Sequence, residues 1–353
     1  MRTTDPAVYE KPAHLFHPRT ALSYQERSRL GNRSGRGWSG ASYYNVPNPP
    51  VGATFTLHLK DSLKTLAEIR KEAQKKDGWT YPTVEQSRAE DTQVAPRMML
   101  SIRDKDGNTI RRLDAPKSAG LHRITWDLRL ADTEPTSLAS GGSRDPWDFD
   151  RGGIIAPPGD YSAQLSSITD GIETPVGDPV TFKVEDLNQA TLAAKGQART
   201  EKFDFEMRVA ELNRVVSGAG RYISQMDERL NHIRVAIRAT GALGSPEIKT
   251  HEDLRRRMID IRTEMYGDST LARRIEPVPP SITERVSAAL ESRSVTHPPT
   301  GTQRQQYEYA LAEFQKVQAD IKALDADIKA LEARLEQAGA PATPGRLPEL
   351  RNK

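Results

Sequence analysis

Two rhythms in the sequence predict an α+β multidomain protein: an Ig-like antiparallel β-sandwich followed by an antiparallel α-helical hairpin or bundle with heptad seams. Between residues 51 and 186, short segments alternate apolar and polar residues between turn-forming clusters, the pattern of a sheet with one buried face. After Asp186 the apolar residues are spaced alternately by three and four, as in helices that share a seam. The 24 glycines and 24 prolines crowd into residues 31–53, 135–180, 277–301 and 339–348, which marks irregular joints between elements. The expected organisation is an irregular arm over 1–50, the sandwich over 51–186 with a helical insertion near 62–77, the helical part over 187–340, and a tail over 341–353.

The arm shows little periodicity. Arg, Ser and Gly dominate residues 27–40, followed by Trp38, Tyr43, Tyr44 and a proline-rich stretch. The Gly/Arg run is short and unrepeated, which favours aromatics docking on a larger body over an RNA-binding tail. Strand rhythm begins at Ala53, Phe55, Leu57 and Leu59. A helix signal follows, with Leu63, Leu66, Ile69 and Ala73 on one face before Gly78.

Alternation resumes at Met98, Leu100 and Ile102. The turn Asp104-Lys105-Asp106-Gly107-Asn108 then leads to Ile110 and Leu113, an Asp-Gly hairpin signal. His122, Ile124, Trp126 and Leu128 form the clearest alternating run, and His122 reads as a core-edge histidine with a hydrogen-bond partner. Tyr161, Ala163 and Leu165, then Val180, Phe182 and Val184, complete the strands.

The first helical seam steps through Phe205, Val209, Leu212, Val216, Ala219, Ile223, Met226, Leu230, Ile233 and Ile237. Gly218 and Gly220 lie inside it, where each costs about 1 kcal/mol relative to Ala; a bend or a close approach is expected there. Leu254, Met258, Ile261 and Met265 repeat the spacing. Ser281 with Glu284 forms a capping box for a short helix. The last seam runs through Tyr307, Ala310, Phe314, Val317, Ile321, Leu324, Ile328, Leu331 and Leu335. Stripes this narrow need helical partners, and the two long helices are expected to bury each other. An intermolecular coiled coil is the alternative.

Composition narrows the function classes. Fifty-one basic and 48 acidic residues leave a net charge of only +3, without the concentrated excess of a nucleic-acid binder. With no cysteine in 353 residues, disulfides, thiolate metal sites and cysteine nucleophiles are excluded. No apolar run approaches the roughly 20 residues that span a bilayer, and Met1-Arg2-Thr3-Thr4-Asp5-Pro6 precedes no apolar signal core.

The motif search points the same way. A calcium loop starting at Asp104 would need Gly and Glu where Thr109 and Ala115 stand. The seven histidines (His14, His17, His58, His122, His232, His251 and His297) include no i, i+4 pair suited to zinc. Asp145, Asp148 and Asp150 sit in a Gly/Pro-rich loop, where carboxylates are ordinarily solvated turn formers. Phosphate-loop, dinucleotide and nucleophile-elbow signatures are missing. No catalytic residue, cofactor or metal ligand is therefore assigned. The candidate docking or stacking residues are Phe16, Trp38, Tyr43, Tyr44, Trp79 and Trp147.

Several stretches carry a resemblance. They are Ala13-His14-Leu15-Phe16-His17-Pro18-Arg19, Asn48-Pro49-Pro50-Val51-Gly52-Ala53, Ile102 to Asn108 with Arg111-Arg112-Leu113, Ala119 to Arg129, Pro157-Pro158-Gly159-Asp160-Tyr161, and, in the helical part, Gly267-Asp268-Ser269-Thr270-Leu271-Ala272 and Gly339 to Pro348. Together the chain resembles the C-terminal region of bacterial sortilin-like (VPS10-type) BNR/WD40-like β-propeller proteins, often labelled glycosyl hydrolases. The strand motifs within 51–186 also resemble those of FlgD-type Ig-like domains, so this part is expected to be an Ig/FlgD-like β-sandwich. The sequence itself contains no Asp-box repeat and no period of 40–50 residues, so no family catalytic residue is carried over.

The resemblance implies export, to a periplasmic or extracellular location, whereas the N-terminal residues alone leave a cytoplasmic location open. It also implies a β-propeller partner, on a separate chain or lost by truncation. The expected function is a non-catalytic accessory module that packs against such a partner and braces it. The alternative is a carbohydrate-binding or hydrolase-associated module; neither reading involves nucleic acid or a membrane span.

Overall fold

The computed structural model describes residues 6–24, 49–136, 152–187, 194–241 and 244–350, except the side chain of Ser294. The chain forms two compact units, Met1–Asp132 with Gly152–Ala193, and Thr133–Arg151 with Ala194–Lys353.

The first unit contains strands β1 (Ala13–Leu15), β2 (Ala21–Ser23) and β3 (Ala53–Leu59), then helices α1 (Leu66–Asp77) and α2 (Val84–Thr92). Strands β4 (Arg97–Arg103), β5 (Thr109–Ala115), β6 (Gly120–Trp126), β7 (Gly159–Thr169), β8 (Ile172–Pro175) and β9 (Val180–Asp186) follow. One sheet has the order β1-β3-β6; the other runs β2-β9-β7-β4-β5, with β8 also paired to β7.

Alternation places Ala53, Phe55, Leu57 and Leu59 of β3 in a common core with Leu100, Ile102, Leu165 and Phe182. The Phe182 ring meets Phe55 edge-on at 5.1 Å and Trp126 at 6.0 Å. Trp126 is fully buried, and its indole N–H donates to the Arg129 carbonyl at 2.8 Å; the hydrogen bond offsets the cost of hiding that polar group. Gly52 has φ +121°, and a Cβ there would lie 1.9 Å from the Trp126 carbonyl oxygen, so only glycine lets the chain enter β3 this way.

The Asp104–Asn108 turn joins β4 to β5 as its spacing expects. The Asp104 carboxylate accepts from the Asp106 and Asn108 amides at 3.0 and 2.8 Å, and Gly107 takes φ +85°. His122 Nε2 donates to the Ser118 carbonyl at 2.7 Å.

The expected fold class requires correction. The chain is mixed α/β, 49% helical and 20% strand, and its strands curl as a mixed half-barrel instead of forming an Ig-like antiparallel sandwich. The mixed character comes from β2, which runs parallel to β9. Alternation reveals which side chains face a core but neither the partner nor the direction of a strand. At three residues each, β1 and β2 are also too short to show alternation.

The second unit contains α3 (Gln197–Ala239), α4 (Ser245–Tyr266), α5 (Ser269–Arg273), α6 (Ile282–Leu290) and α7 (Gly301–Ala338). Every residue of the two long seams is buried apart from Ala219, which is partly buried against the same core. The antiparallel hairpin is nevertheless also corrected. Leu254, Met258, Ile261 and Met265 of α4 and Ile282, Val286 and Ala289 of α6 enter that core, so α3 and α7 do not simply cover each other. A seam states which face is buried and leaves open what buries it.

Arg229 on α3 ties the core's edge to α7. Its guanidinium donates to Asp325 at 2.9 Å and to Glu332 at 2.7 and 3.1 Å. These carboxylates hold the Arg229 pKa above its ordinary value, against the effect of burial. Gly218 is open to its surroundings, whereas a Cβ on Gly220 would lie 2.6 Å from the Tyr266 hydroxyl. The close approach expected within the first seam therefore falls at Gly220.

Candidate functional site

Two surface features of the first unit stand out, and each contains one of the aromatic residues singled out in the sequence. The first is an open cleft of about 1000 Å³ beside β2 and the outer face of β3. Because β3 sends Ala53, Phe55 and Leu57 inward, Thr54 and Thr56 face outward to line it. Arg123 joins them from β6, where it pairs with Thr56. The β1–β2 connection supplies Phe16, His17, Pro18 and Arg19, and His14 projects from β1.

Phe16 meets the His14 ring edge-on at 4.6 Å. Burial, followed by the charges of Lys11 and His17, pushes the His14 imidazole below its ordinary pKa and favours the neutral ring. Among the described residues, Arg19 and Arg123 are then the permanent charges of the cleft, and no Asp or Glu lines it.

The second feature is the α1–α2 hairpin. Thr65 with Glu68 and Thr83 with Gln86 form capping boxes, which fix both helix starts. Arg70 holds the helices together, donating to both Glu90 carboxylate oxygens at 2.6 and 2.9 Å. The Leu66 amide donates to Gln93 at 2.8 Å.

The bonds that shape the hairpin are thus polar, and neither helix has a buried residue. Leu66, Ile69, Val84 and Val94 are exposed. Trp79, in the connecting loop, is 65% exposed and meets Tyr81 at 4.2 Å with the rings inclined by 76°. Of the residues expected on one helical face, Leu63 lies before α1 and packs partly buried against the core, whereas Leu66, Ile69 and Ala73 of α1 are exposed.

Phe16 and Trp79 occupy separate features and do not converge on one centre. Trp38, Tyr43, Tyr44 and Trp147 lie outside the described residues. Arg19, Arg123 and Tyr81 were missed; for Arg123 the available signal was its alternation opposite Ile124, which sends it outward. Among the described residues, no group of three or more His, Cys, Asp or Glu is arranged to hold a metal ion. No helix among them is long and apolar enough to cross a membrane.

Neither a protein-family model nor a curated protein matches the chain. Fold and surface together define the class: a two-unit α/β protein with an open basic cleft and a solvent-facing helical hairpin on its β-rich unit.

Proposed function

We propose that the chain is a non-catalytic accessory module that packs against a partner protein and braces it, the α1–α2 hairpin being its main docking surface. The observation that carries this reading is a pair of helices whose large apolar residues, Leu66, Ile69 and Val84, are all exposed. Helices of 12 and 9 residues are too short to hold in water by propensity alone. Capping, the Arg70–Glu90 ion pair and other polar contacts fix their shape, while Leu66, Ile69, Trp79 and Val84 are exposed. Burying a side chain the size of Ile69 contributes about 1.5–3 kcal/mol.

The partner proposed from the sequence resemblance is a β-propeller of the sortilin-like class. Export to the periplasm or the cell exterior belongs to the same proposal. The carbohydrate-binding alternative draws less support from Trp79, since its ring crosses Tyr81 at 76° and the two share no flat stacking platform.

Sedimentation velocity of the purified chain mixed with a sortilin-like propeller encoded in the same genome tests the reading. A 1:1 complex is expected, weakened at least tenfold by Ile69→Asp combined with Trp79→Ala. The absence of a complex at micromolar concentrations, or turnover of glycosides by the chain alone, would overturn it.

A further inference from the structure

We infer that the cleft beside β2 and β3 binds an extended acidic segment of a partner protein. The inference rests on the interaction-module reading and adds the chemistry of a second contact.

Charge comes first. Among the described residues, the cations of the lining are Arg19 and Arg123, with the imidazoles of His14 and His17 beside them and no carboxylate. Among the described residues, neither guanidinium has an ion-pair partner. An open, positively charged concavity with apolar walls attracts anions and concentrates them. Residues 25–48, which connect the two sides of the cleft in sequence, carry Arg27, Arg29, Arg33 and Arg36 against Glu26 alone. Asp178 acts on His14 from outside the lining, and the connecting segment brings net positive charge, so an acidic partner segment would meet a complementary surface.

Shape decides between a small anion and a chain. At about 1000 Å³ the cleft lies at the upper limit of small-ligand sites. Among the described residues, both bordering strands have backbone positions without a ladder partner. Among the described residues, β2 pairs only with β9. Ala53, Thr54 and Phe55 pair with β6 but have no partner on the β1 side, where the register covers Leu57 to Leu59. Open strand edges accept an extended peptide through main-chain hydrogen bonds, while neighbouring side chains select its sequence. Here Arg19 and Arg123 would pair with its carboxylates and Phe16 would cover an apolar residue between them.

Fluorescence anisotropy with a labelled octapeptide of alternating Glu and Val provides the test. Binding in the micromolar range is expected, weakening as salt rises and falling at least tenfold in Arg19→Glu/Arg123→Glu. Arg97→Glu, at an exposed arginine outside the cleft, should leave binding unchanged. Where circular dichroism shows that charge reversal unfolds the chain, Arg19→Gln/Arg123→Gln replaces it.

No binding at 1 mM would overturn the inference, as would equal binding of a Lys/Val peptide. It would also fail if citrate at the same carboxylate concentration competed fully, or if an oligouridylate bound more tightly than the peptide. A propeller complex that forms normally while the peptide fails to bind would sink the cleft and leave the module reading standing.

Discussion

Gly218 and Gly220 are two residues apart in the same helix, and alanine at each should have different consequences. In a helix interior, Gly→Ala is worth about 1 kcal/mol through backbone entropy. Nothing lies within 4 Å of a Cβ built on Gly218, so Gly218→Ala should realise that gain. For a unit of this size, 1 kcal/mol raises the melting temperature by about 2–4 °C.

The same Cβ on Gly220 meets the Tyr266 hydroxyl at 2.6 Å, well inside the 3.4 Å where ordinary contact begins. Overpacking costs about 1–3 kcal/mol in a closed core; Tyr266 is 46% exposed, so its hydroxyl end can shift and the cost falls at about 1 kcal/mol, enough to cancel the entropic gain. Gly220→Ala should therefore be close to neutral. Adding Tyr266→Phe removes the offending oxygen and should restore a net gain near 1 kcal/mol. Thermal and urea unfolding followed at 222 nm reads all three variants. The reasoning is refuted if Gly220→Ala stabilises as much as Gly218→Ala, or if Tyr266→Phe rescues nothing.

Arg229→Leu removes the guanidinium from Glu332 and leaves Asp325 with only Lys329 and Tyr222; the two carboxylate side chains are only 9% and 12% exposed. Losing one member of such a buried cluster costs about 3–5 kcal/mol; a drop below 1 kcal/mol in unfolding free energy would contradict the clamp. Acid should attack the same place. Burial alone would raise the Asp325 pKa, but hydrogen bonds from Lys329, Tyr222 and Arg229 hold it below the ordinary value. A depressed folded pKa means stability that is complete above the unfolded value of roughly 4 and lost as pH falls through the folded one. Melting curves at pH 6 and pH 3 should accordingly show a smaller acid loss in Asp325→Asn than in the parent chain. Trp79→Ala should change global stability by less than about 0.5 kcal/mol, because the exposed ring supports no core. Arg70→Ala should instead speed amide exchange across residues 66–92 while leaving the global melt in place.

The legible part of the structure follows from periodicity. The 3-4 spacing from Phe205 to Ile237 and from Tyr307 to Leu335 marked the buried faces of α3 and α7, and alternation from Ala53 to Leu59 marked that of β3. Pairing lay beyond it. Nothing in three-residue β1 and β2 announces that one joins β3 antiparallel and the other joins β9 in parallel, and that parallel pairing is what makes the second sheet mixed. Likewise, Leu254 to Met265 read as a minor echo of the long seams, whereas α4 supplies part of their shared core.

The candidate sites divide in the same way. Phe16 was visible as an isolated aromatic, but the cleft around it gathers Arg19, Thr54 and Arg123 from three sequence regions, a juxtaposition that only tertiary structure creates. The apolar face of α1 was legible. Its exposure was not, since an amphipathic stripe looks the same whether its cover lies within the chain or on a partner.

Hydrogen exchange by mass spectrometry, on the chain alone and with a sortilin-like propeller, addresses the docking claim most directly. The account predicts that residues 66–94 exchange readily in the free chain and become protected in the complex, while α3 and α7 change little. Protection confined to the helical unit, or a hairpin already fully protected in the free chain, would contradict it.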